Sequence, residues 1–343
     1  MNKKVSIVIL NFNAGELLYK CIKSIYSSHY PNFEIILVDN NSSDNSHKKC
    51  KRYFPQIKLI ENKINLGYCE GNNVGLREIT GDYCVILNPD TEVEPNWLNV
   101  FISEFNKNGK GLYQPKLLTT SDKSVINSAG NMINIFGFGY SIGKGKKDSL
   151  EYNYFKEINY ASGACLFTST EILKKVGFFD SYLFAYHDDL EFGWRANQLG
   201  IKSFYLPDSV VYHSESYSFG WSARKFFLLE RNRWYCILIH YSTFTFLKIL
   251  PSLIVIEIFI SIFFLKKGIF KEKIRALIII LRDINKIRKR KLEIKKNKIF
   301  SDKQIIENFS EVIEIPFQVT NSFYSNIFNN VIQILGKFSK IFI

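Results

Sequence analysis

The sequence predicts an α/β protein built on a largely parallel sheet, and three observations predict it. Short apolar runs recur near Val5–Leu10, Glu34–Asp39, Lys58–Glu61 and Tyr83–Leu87. Helical patterns near Leu17–Tyr26, Asn45–Tyr53 and Glu70–Arg77 alternate with them, and strand–helix alternation across short polar turns implies parallel strands. Three of the runs end in Asn or Asp: Val5-Ser-Ile-Val-Ile-Leu-Asn-Phe-Asn13, Val38-Asp-Asn-Asn-Ser-Ser-Asp44 and Val85-Ile-Leu-Asn-Pro-Asp90. Strands that end this way gather polar groups at the carboxyl edge of a sheet, where α/β proteins bind ligands.

Further along, Pro95-Asn-Trp-Leu98 opens a helix, since Pro suits a first turn, and a strand over Gly111–Pro115 follows. Residues 119–157 are rich in Gly, Asn, Ser and Lys around Gly137–Gly143. They read as a loop or irregular hairpin, which in an enzyme would serve as a mobile lid. Ile158–Thr168 reads as a strand, and Ser169–Val176 as a helix capped by Ser169 or Thr170. Asp188–Leu199 reads as a helix stopped by Gly200, and Lys202–Tyr205 and Ser209–His213 as two short strands.

From about Ser222 the composition changes. Ala223–Tyr241 reads as a basic aromatic helix, and Phe244–Leu265 is strongly apolar but interrupted by Lys248, Pro251 and Glu257. A clean spanning helix needs about 20 apolar residues with few or no charges. The expectation is therefore helices lying in or dipping into a membrane interface, with a spanning hairpin near 244–265 as the alternative. Asn321–Ile343 adds one more amphipathic segment. The chain thus divides into an α/β domain over 1–235 and basic, membrane-associating helices over 236–343.

Composition bounds the function. The six cysteines form no C-x-x-C pair and several sit in apolar runs, as reduced thiols of a cytosolic protein do. The apolar run behind Met1-Asn-Lys-Lys is only Val5 to Leu10, shorter than a signal-peptide core of roughly 7–15 residues, so it reads as a first strand. Of the net charge of +13, +11 lies between Lys266 and Lys298, where 14 Lys/Arg face three Asp/Glu. The near-neutral remainder argues against a nucleic-acid-binding core. A basic cluster beside an apolar stretch fits the anionic inner leaflet of a membrane.

Five places carry candidate chemistry. Asp39, at a strand end, can accept hydrogen bonds from a pyrimidine imide or a ribose, or can cap the next helix together with Asp44. Asn65-Leu-Gly-Tyr-Cys-Glu-Gly-Asn-Asn-Val-Gly75 lets backbone approach a ligand closely, or is a plain turn. Asn88-Pro-Asp-Thr91 closes the most apolar strand. A single carboxylate there can bind Mg²⁺ or Mn²⁺ with substrate phosphates, and a plain Asn-Pro-Asp turn is the alternative. Asp188, Asp189 and Glu191 cluster in Tyr186-His-Asp-Asp-Leu-Glu-Phe-Gly-Trp-Arg195. Helical spacing sets 188 and 189 about 100° apart, so one faces the reactants while the other pairs or packs. Grouped acids raise each other's pKa, which suits a general base. His213 ends a strand and gains meaning only if it lies near Asp90.

Taken together, these segments resemble the family 2 glycosyltransferases. Asn11-Phe-Asn13, the Val38–Asp44 turn, Asn65–Gly75 and Leu87-Asn-Pro-Asp90 are similar to the family's nucleotide half. Ser162-Gly-Ala-Cys165, Val176-Gly-Phe-Phe-Asp180 and Tyr186–Arg195 are similar to its acceptor half. The likeness covers roughly residues 4–235 and leans to the rhamnosyl- and galactofuranosyl-transferase branch, which works on cell-surface glycans. It implies a GT-A fold, a Rossmann-like mixed sheet flanked by helices. It also implies inverting transfer from a nucleotide-diphosphate sugar, with UDP and dTDP both open as the nucleotide. The apolar and basic tail separately fits a glycan or polyprenyl-linked acceptor at the cytoplasmic face of the cell membrane.

Residue by residue, the resemblance puts the nucleotide at Asn11, Asn13, Asp39, Asn41, Asn65, Gly67, Asn73 and Asn88. The metal, Mg²⁺ or Mn²⁺, falls to Asp90 and His213. Asp189 becomes the catalytic base, Asp188 the acceptor-positioning acid, and Gly163, Ala164, Trp194 and Arg195 belong to the acceptor side. Two departures stand out. Asn88 replaces the first acid of the family's Asp-x-Asp, which lowers the expected metal affinity. Glu230-Arg-Asn-Arg-Trp234 has Glu where processive synthases have Gln, which favours transfer of a single sugar. A nucleotidyltransferase would also need a sheet-edge metal, but Asn11-Phe-Asn-Ala-Gly15 lacks the basic group that cradles a triphosphate. A membrane scaffold would not require Asp90, Asp189 and His213 together.

Overall fold

A computed structural model describes residues 3–214, 222–315 and 322–343. The chain forms two compact units. The first holds residues up to Asn131, Ser141–Gly193 and 201–214, and the second holds Met132–Tyr140, Trp194–Gly200 and the described residues from 222 on.

The elements run β1 (Val5–Asn11), α1 (Glu16–Tyr26), β2 (Phe33–Asp39), α2 (Ser46–Tyr53), β3 (Lys58–Glu61), α3 (Gly67–Leu76), β4 (Tyr83–Leu87), β5 (Thr91–Val93) and α4 (Trp97–Asn108). There follow β6 (Leu112–Thr119), β7 (Ile126–Ser128), β8 (Asn131–Ile133), β9 (Gly139–Ser141), β10 (Lys156–Ile158), β11 (Cys165–Ser169), α5 (Thr170–Val176), α6 (Asp188–Gln198) and β12 (Ser203–His213). The main sheet is ordered β10-β12-β6-β11-β4-β1-β2-β3, with β5 added on β12 and β7 on β6. Strands β3, β2, β1 and β4 are mutually parallel, while β11 runs antiparallel to β4, so the sheet is mixed. All seven residues of β1 are buried, as an apolar strand covered on both faces must be.

The glycines of α3 belong to this packing. A Cβ on Gly71 would come within 2.6 Å of Leu10, and one on Gly75 within 2.5 Å of Val8. They let the helix lie flush on the sheet. Thr170–Val176 is capped as expected, with the Ser169 hydroxyl accepting from Ile172 N.

Three sequence expectations change. Ile158–Thr168 is not one strand: β10 ends at Ile158 and β11 starts at Cys165, with a turn between them. The two short strands over 202–213 are one, β12, interrupted by a bulge between Leu206 and Val210. Residues 119–157 are no free lid. Strand β7 pairs with β6, Ile126 and Ser128 are buried, and the buried Lys116 ammonium ties Asp148 down at 2.9 Å.

The second unit is helical: α7 (Ala223–His240), α8 (Thr243–Lys266), α9 (Phe270–Arg282), α10 (Ile284–Asn297), α11 (Asp302–Ile306) and α12 (Ser322–Phe342). Lys248, Pro251 and Glu257 do not break α8, which is continuous over 24 residues. Trp194, expected beside the acceptor, is instead a core residue of this unit. It is 1% exposed, stacks on His240 at 4.8 Å and meets Tyr241 and Phe309 edge-on. The reason is helical phase: six residues beyond Asp188 the α6 side chain points about 240° away.

Candidate active site

The end of β1 and the end of β2 are registered partners, Asn11 opposite Asp39. Asn11 Nδ2 donates to Asp39 Oδ1 at 2.8 Å, to Ser46 Oγ at 2.9 Å and to Ser42 Oγ at 3.1 Å, and Asn11 Oδ1 accepts from Ala14 N. Asp39 Oδ2 accepts from Ser42 N at 2.9 Å, and His47 Nδ1 lies 3.1 Å from Oδ1. A carboxylate offers about four lone-pair sites, so this network leaves one on Oδ2. Asn13 takes a left-handed backbone, as does Asn41, and its Oδ1 accepts from Ser43 N at 2.8 Å.

Three residues assigned to the nucleotide have internal roles instead. Asn11 is fully buried and committed to its braces. Asn73 is 2% exposed and clamps the Phe179 backbone, donating to its carbonyl at 2.9 Å and accepting from its N–H at 3.0 Å. Gly67 has φ +78°, and a Cβ there would fall 2.5 Å from Phe184. It permits a turn that no other residue fits. Asn65 steadies the same turn, accepting from Gly67 N and from Asn40 Nδ2, both at 2.8 Å.

Strand β4 delivers Asn88 and Asp90. The Asn88 N–H donates to the Ala164 carbonyl at 3.0 Å, which fastens this turn to the one preceding β11. Strand β12 then pairs with β5 in the register His213 opposite Thr91. That register brings His213 Nε2 to 3.4 Å from Asp90 Oδ1, while Nδ1 lies 3.1 Å from Asn127 Oδ1. Asp90 is 4% exposed, and its Oδ1 has no hydrogen-bond partner. Buried polar atoms are almost always paired, so an orphaned carboxylate oxygen beside an imidazole fits a cation ligand set. Among the described residues no third His, Cys, Asp or Glu joins them. A divalent ion here would complete its shell with water and phosphate oxygens, as Mg²⁺ commonly does.

The acid pair opens α6. Asp189 Oδ2 accepts from Gly163 N at 3.1 Å and Oδ1 from Leu190 N at 2.8 Å. Burial raises the Asp189 carboxyl. Burial first, and the Asp189 charge second, push Asp188 from 3.8 up to about 8. Both carboxyls are thus shifted upward together, Asp188 the more strongly because it also feels the Asp189 charge. Phe184, Tyr186 and His187, just before the pair, all have positive φ between 60° and 67°. Backbone strain of this kind collects at functional turns.

Tyr68 went unnoticed in the sequence and sits at the meeting point. Its hydroxyl donates to the Gly163 carbonyl at 2.7 Å, and burial followed by the charges of Asp188, Asp189 and Asp90 raises its pKa well above 10.0. A Cβ on Gly163 would come 2.6 Å from that hydroxyl and 3.4 Å from Asp188 Oδ2. Gly163 is therefore the gap through which the tyrosine reaches the acid pair. Asn127, the partner of His213, was equally silent, because only tertiary pairing of β7 brings it there.

A family model described as glycosyl transferase family 2 matches residues 6–177. The chain belongs to this family. Relatives of this family-2 chain include the low-salt glycan biosynthesis hexosyltransferase Agl10 of Haloferax volcanii, 26% identical over 57% of this chain and 62% of that protein. They also include the N-acetylglucosaminyl-diphospho-decaprenol L-rhamnosyltransferase of Mycobacterium tuberculosis, 24% identical over 64% of this chain and 79% of that protein. The chain thus spans less than two thirds of the haloarchaeal relative's length. Among solved structures, GalNAc-T7 with UDP, GalNAc and Mn²⁺ superposes with a TM-score of 0.59 at 16% identity, covering 73% of this chain and 51% of that one. TarS residues 1–349 of S. aureus superposes at 0.51 and 13% identity, covering 97% of this chain and 90% of that one. The family-2 sheet with its carboxyl-edge turns is the GT-A fold.

One pH dependence follows from the acid pair. The folded chain keeps a proton on Asp188 that the unfolded chain has lost, so stability falls as pH rises from about 4 to about 8. Asp188→Asn removes that contribution. Its unfolding midpoint in urea is expected to decline less than wild type across this window, and parallel declines would refute the assignment.

Proposed function

We propose that the chain is an inverting glycosyltransferase that moves one sugar from a UDP- or dTDP-linked donor to a glycan or polyprenyl-linked acceptor, at the cytoplasmic face of the cell membrane. The observation that carries this reading is the unpartnered, buried Asp90 Oδ1 beside His213, on the same sheet edge as the Asp188–Asp189 acid pair. Asp90 and His213 are the residues that would hold Mg²⁺ or Mn²⁺, which when bound neutralises the leaving diphosphate. Asp39 meets the base through its remaining acceptor site, and Asn13, Asn41, Asn65 and Asn88 shape the nucleotide turns. Asp189 removes the acceptor hydroxyl proton as attack on the anomeric carbon begins. Neutral Asp188 and Tyr68 hold the acceptor without adding a second negative charge. Gly163, through its N–H, keeps Asp189 aimed.

The M. tuberculosis relative is named for a decaprenol-linked acceptor, which supports the polyprenyl alternative. The test is release of nucleoside diphosphate from UDP-, dTDP- and GDP-sugars, with Mg²⁺, with Mn²⁺ and with EDTA. Metal-dependent release from one donor, stimulated by a polyprenyl-diphosphate sugar, is expected. No release and no nucleotide binding by calorimetry would favour the scaffold reading.

A further inference from the structure

We infer that the second unit docks on an anionic phospholipid leaflet through α8, and that α8 lies in the plane of that leaflet without crossing it. The inference is independent of the proposed activity. By length and composition α8 is long and apolar enough to cross a bilayer, and only 28% of its most apolar stretch is buried. Its two faces differ along the whole helix. Ile249, Leu253, Ile256, Ile260 and Phe264 pack inward, whereas Leu247, Ile254, Ile258, Ile262 and Leu265 are exposed. An outward apolar stripe along a helix clamped on its other face suits an interface, not a span.

What excludes a span is the place of Glu257. It lies in the middle third of α8 and belongs to a ring of four charges drawn from three helices. Arg233 of α7 binds Glu230 at 3.1 Å and also Glu257, and Lys273 of α9 binds Glu230 at 2.6 Å and also Glu257. Two acids and two bases close a neutral ring, and Glu230, Arg233 and Lys273 are each at most 4% exposed as side chains. A spanning α8 would carry this whole ring, with α7 and α9, into hydrocarbon. Yet α9 is 13 residues long and contains Lys271, Glu272, Lys273 and Arg275. Opening the ring instead would leave buried charges unpaired. The Glu230–Trp234 motif is thus the anchor of a helix clamp.

The charge pattern names the partner. Exposed Ile274, Ile278 and Leu281 of α9 alternate with Lys271, Arg275 and Arg282, and α9 and α10 lie in the segment of net charge +11. Apolar residues interleaved with cations match an anionic headgroup layer. Between Trp234 and Leu250, Ile254, Ile258 and Ile262 an open apolar groove of about 360 Å³ has room for part of an acyl chain, and the Trp234 indole N–H beside it has no partner.

The full chain is floated with phosphatidylcholine vesicles, with and without phosphatidylglycerol. Binding only to the anionic vesicles is expected, and Ile258→Glu should reduce it at least tenfold with unchanged circular dichroism and melting. Leu247→Glu, also on the exposed face, repeats the test should Ile258→Glu misfold. Equal binding by wild type and these variants, or no preference for the anionic lipid, would overturn the docking face. Thr243→Cys and Lys267→Cys mark the two ends of α8 against six buried native cysteines. In intact cells both should stay unlabelled by an impermeant maleimide, and both should react once the cells are permeabilised. Labelling of one end alone would show a crossing and overturn the in-plane geometry.

Discussion

Asp189→Asn is expected to lower turnover by about 10²–10⁴-fold, the span that general-base catalysis supplies, while leaving nucleotide affinity within about twofold. The substitution keeps shape and removes basicity. One amide oxygen can still accept from Gly163 N or Leu190 N, so the start of α6 stays in place. The contrast with Asp188→Asn isolates the cause. Asp188 already holds a proton at neutral pH, and an amide imitates a neutral acid, so that variant loses far less. Saturating-donor kinetics on both variants, with nucleotide binding by calorimetry, would make the comparison. Near-normal turnover in Asp189→Asn, or a larger loss in Asp188→Asn, would move the base elsewhere.

Asp90→Ala is expected to lower kcat/KM by on the order of 10²–10³-fold, because it removes one of the two groups proposed to hold the metal at the diphosphate, a role worth several kcal/mol. The carboxylate is buried and accepts no hydrogen bond on Oδ1, so its loss strands no donor there. The backbone bond from Ser214 N to the Asp90 carbonyl at 2.9 Å survives in the alanine variant. Melting temperature should therefore change little. The distinguishing measurement is nucleoside diphosphate binding with and without EDTA: dependent on metal in wild type, indifferent to it in Asp90→Ala. A variant that keeps metal-dependent binding would remove Asp90 from the ligand set.

How far the sequence carried depended on whether neighbours along the chain or across it decide the structure. Three of the four parallel strands were legible because continuous apolar runs ending in Asn or Asp have few other folds, and the short β3 was legible from its place in the strand–helix alternation. The β10–β11 break was hidden, since Asn159–Ala164 interrupts the pattern too gently to read as a turn. Pro207 and Asp208 did the reverse, suggesting an end where β12 merely bulges. Within the site, Asp90 and the acid pair were legible as carboxylates at element ends. Asn11 and Asn73 were misread because a motif marks a position without saying whether its side chain faces a ligand or a backbone. Trp194 was misread for want of helical phase, and Tyr68 was missed because nothing local marks a tyrosine that crosses to another turn.

The bulge in β12 has a consequence for how the site tolerates change. Between Leu206 and Val210 the strand carries three more residues than its partner β6 uses between Pro115 and Lys116. An odd insertion reverses the alternation of side chains relative to an unbulged strand. The bulge therefore works as a phase shifter: the half from Ser203 to Leu206 follows one alternation against β6, and the half from Val210 to His213 follows another, fixed also by β5. Repacking of the first half does not rotate the histidine, because residues 207–209 take up the change while β5 and β6 hold the second half in its own register. The three spare residues thus act as slack that insulates the His213–Asp90 edge from whatever happens at the entrance of the strand.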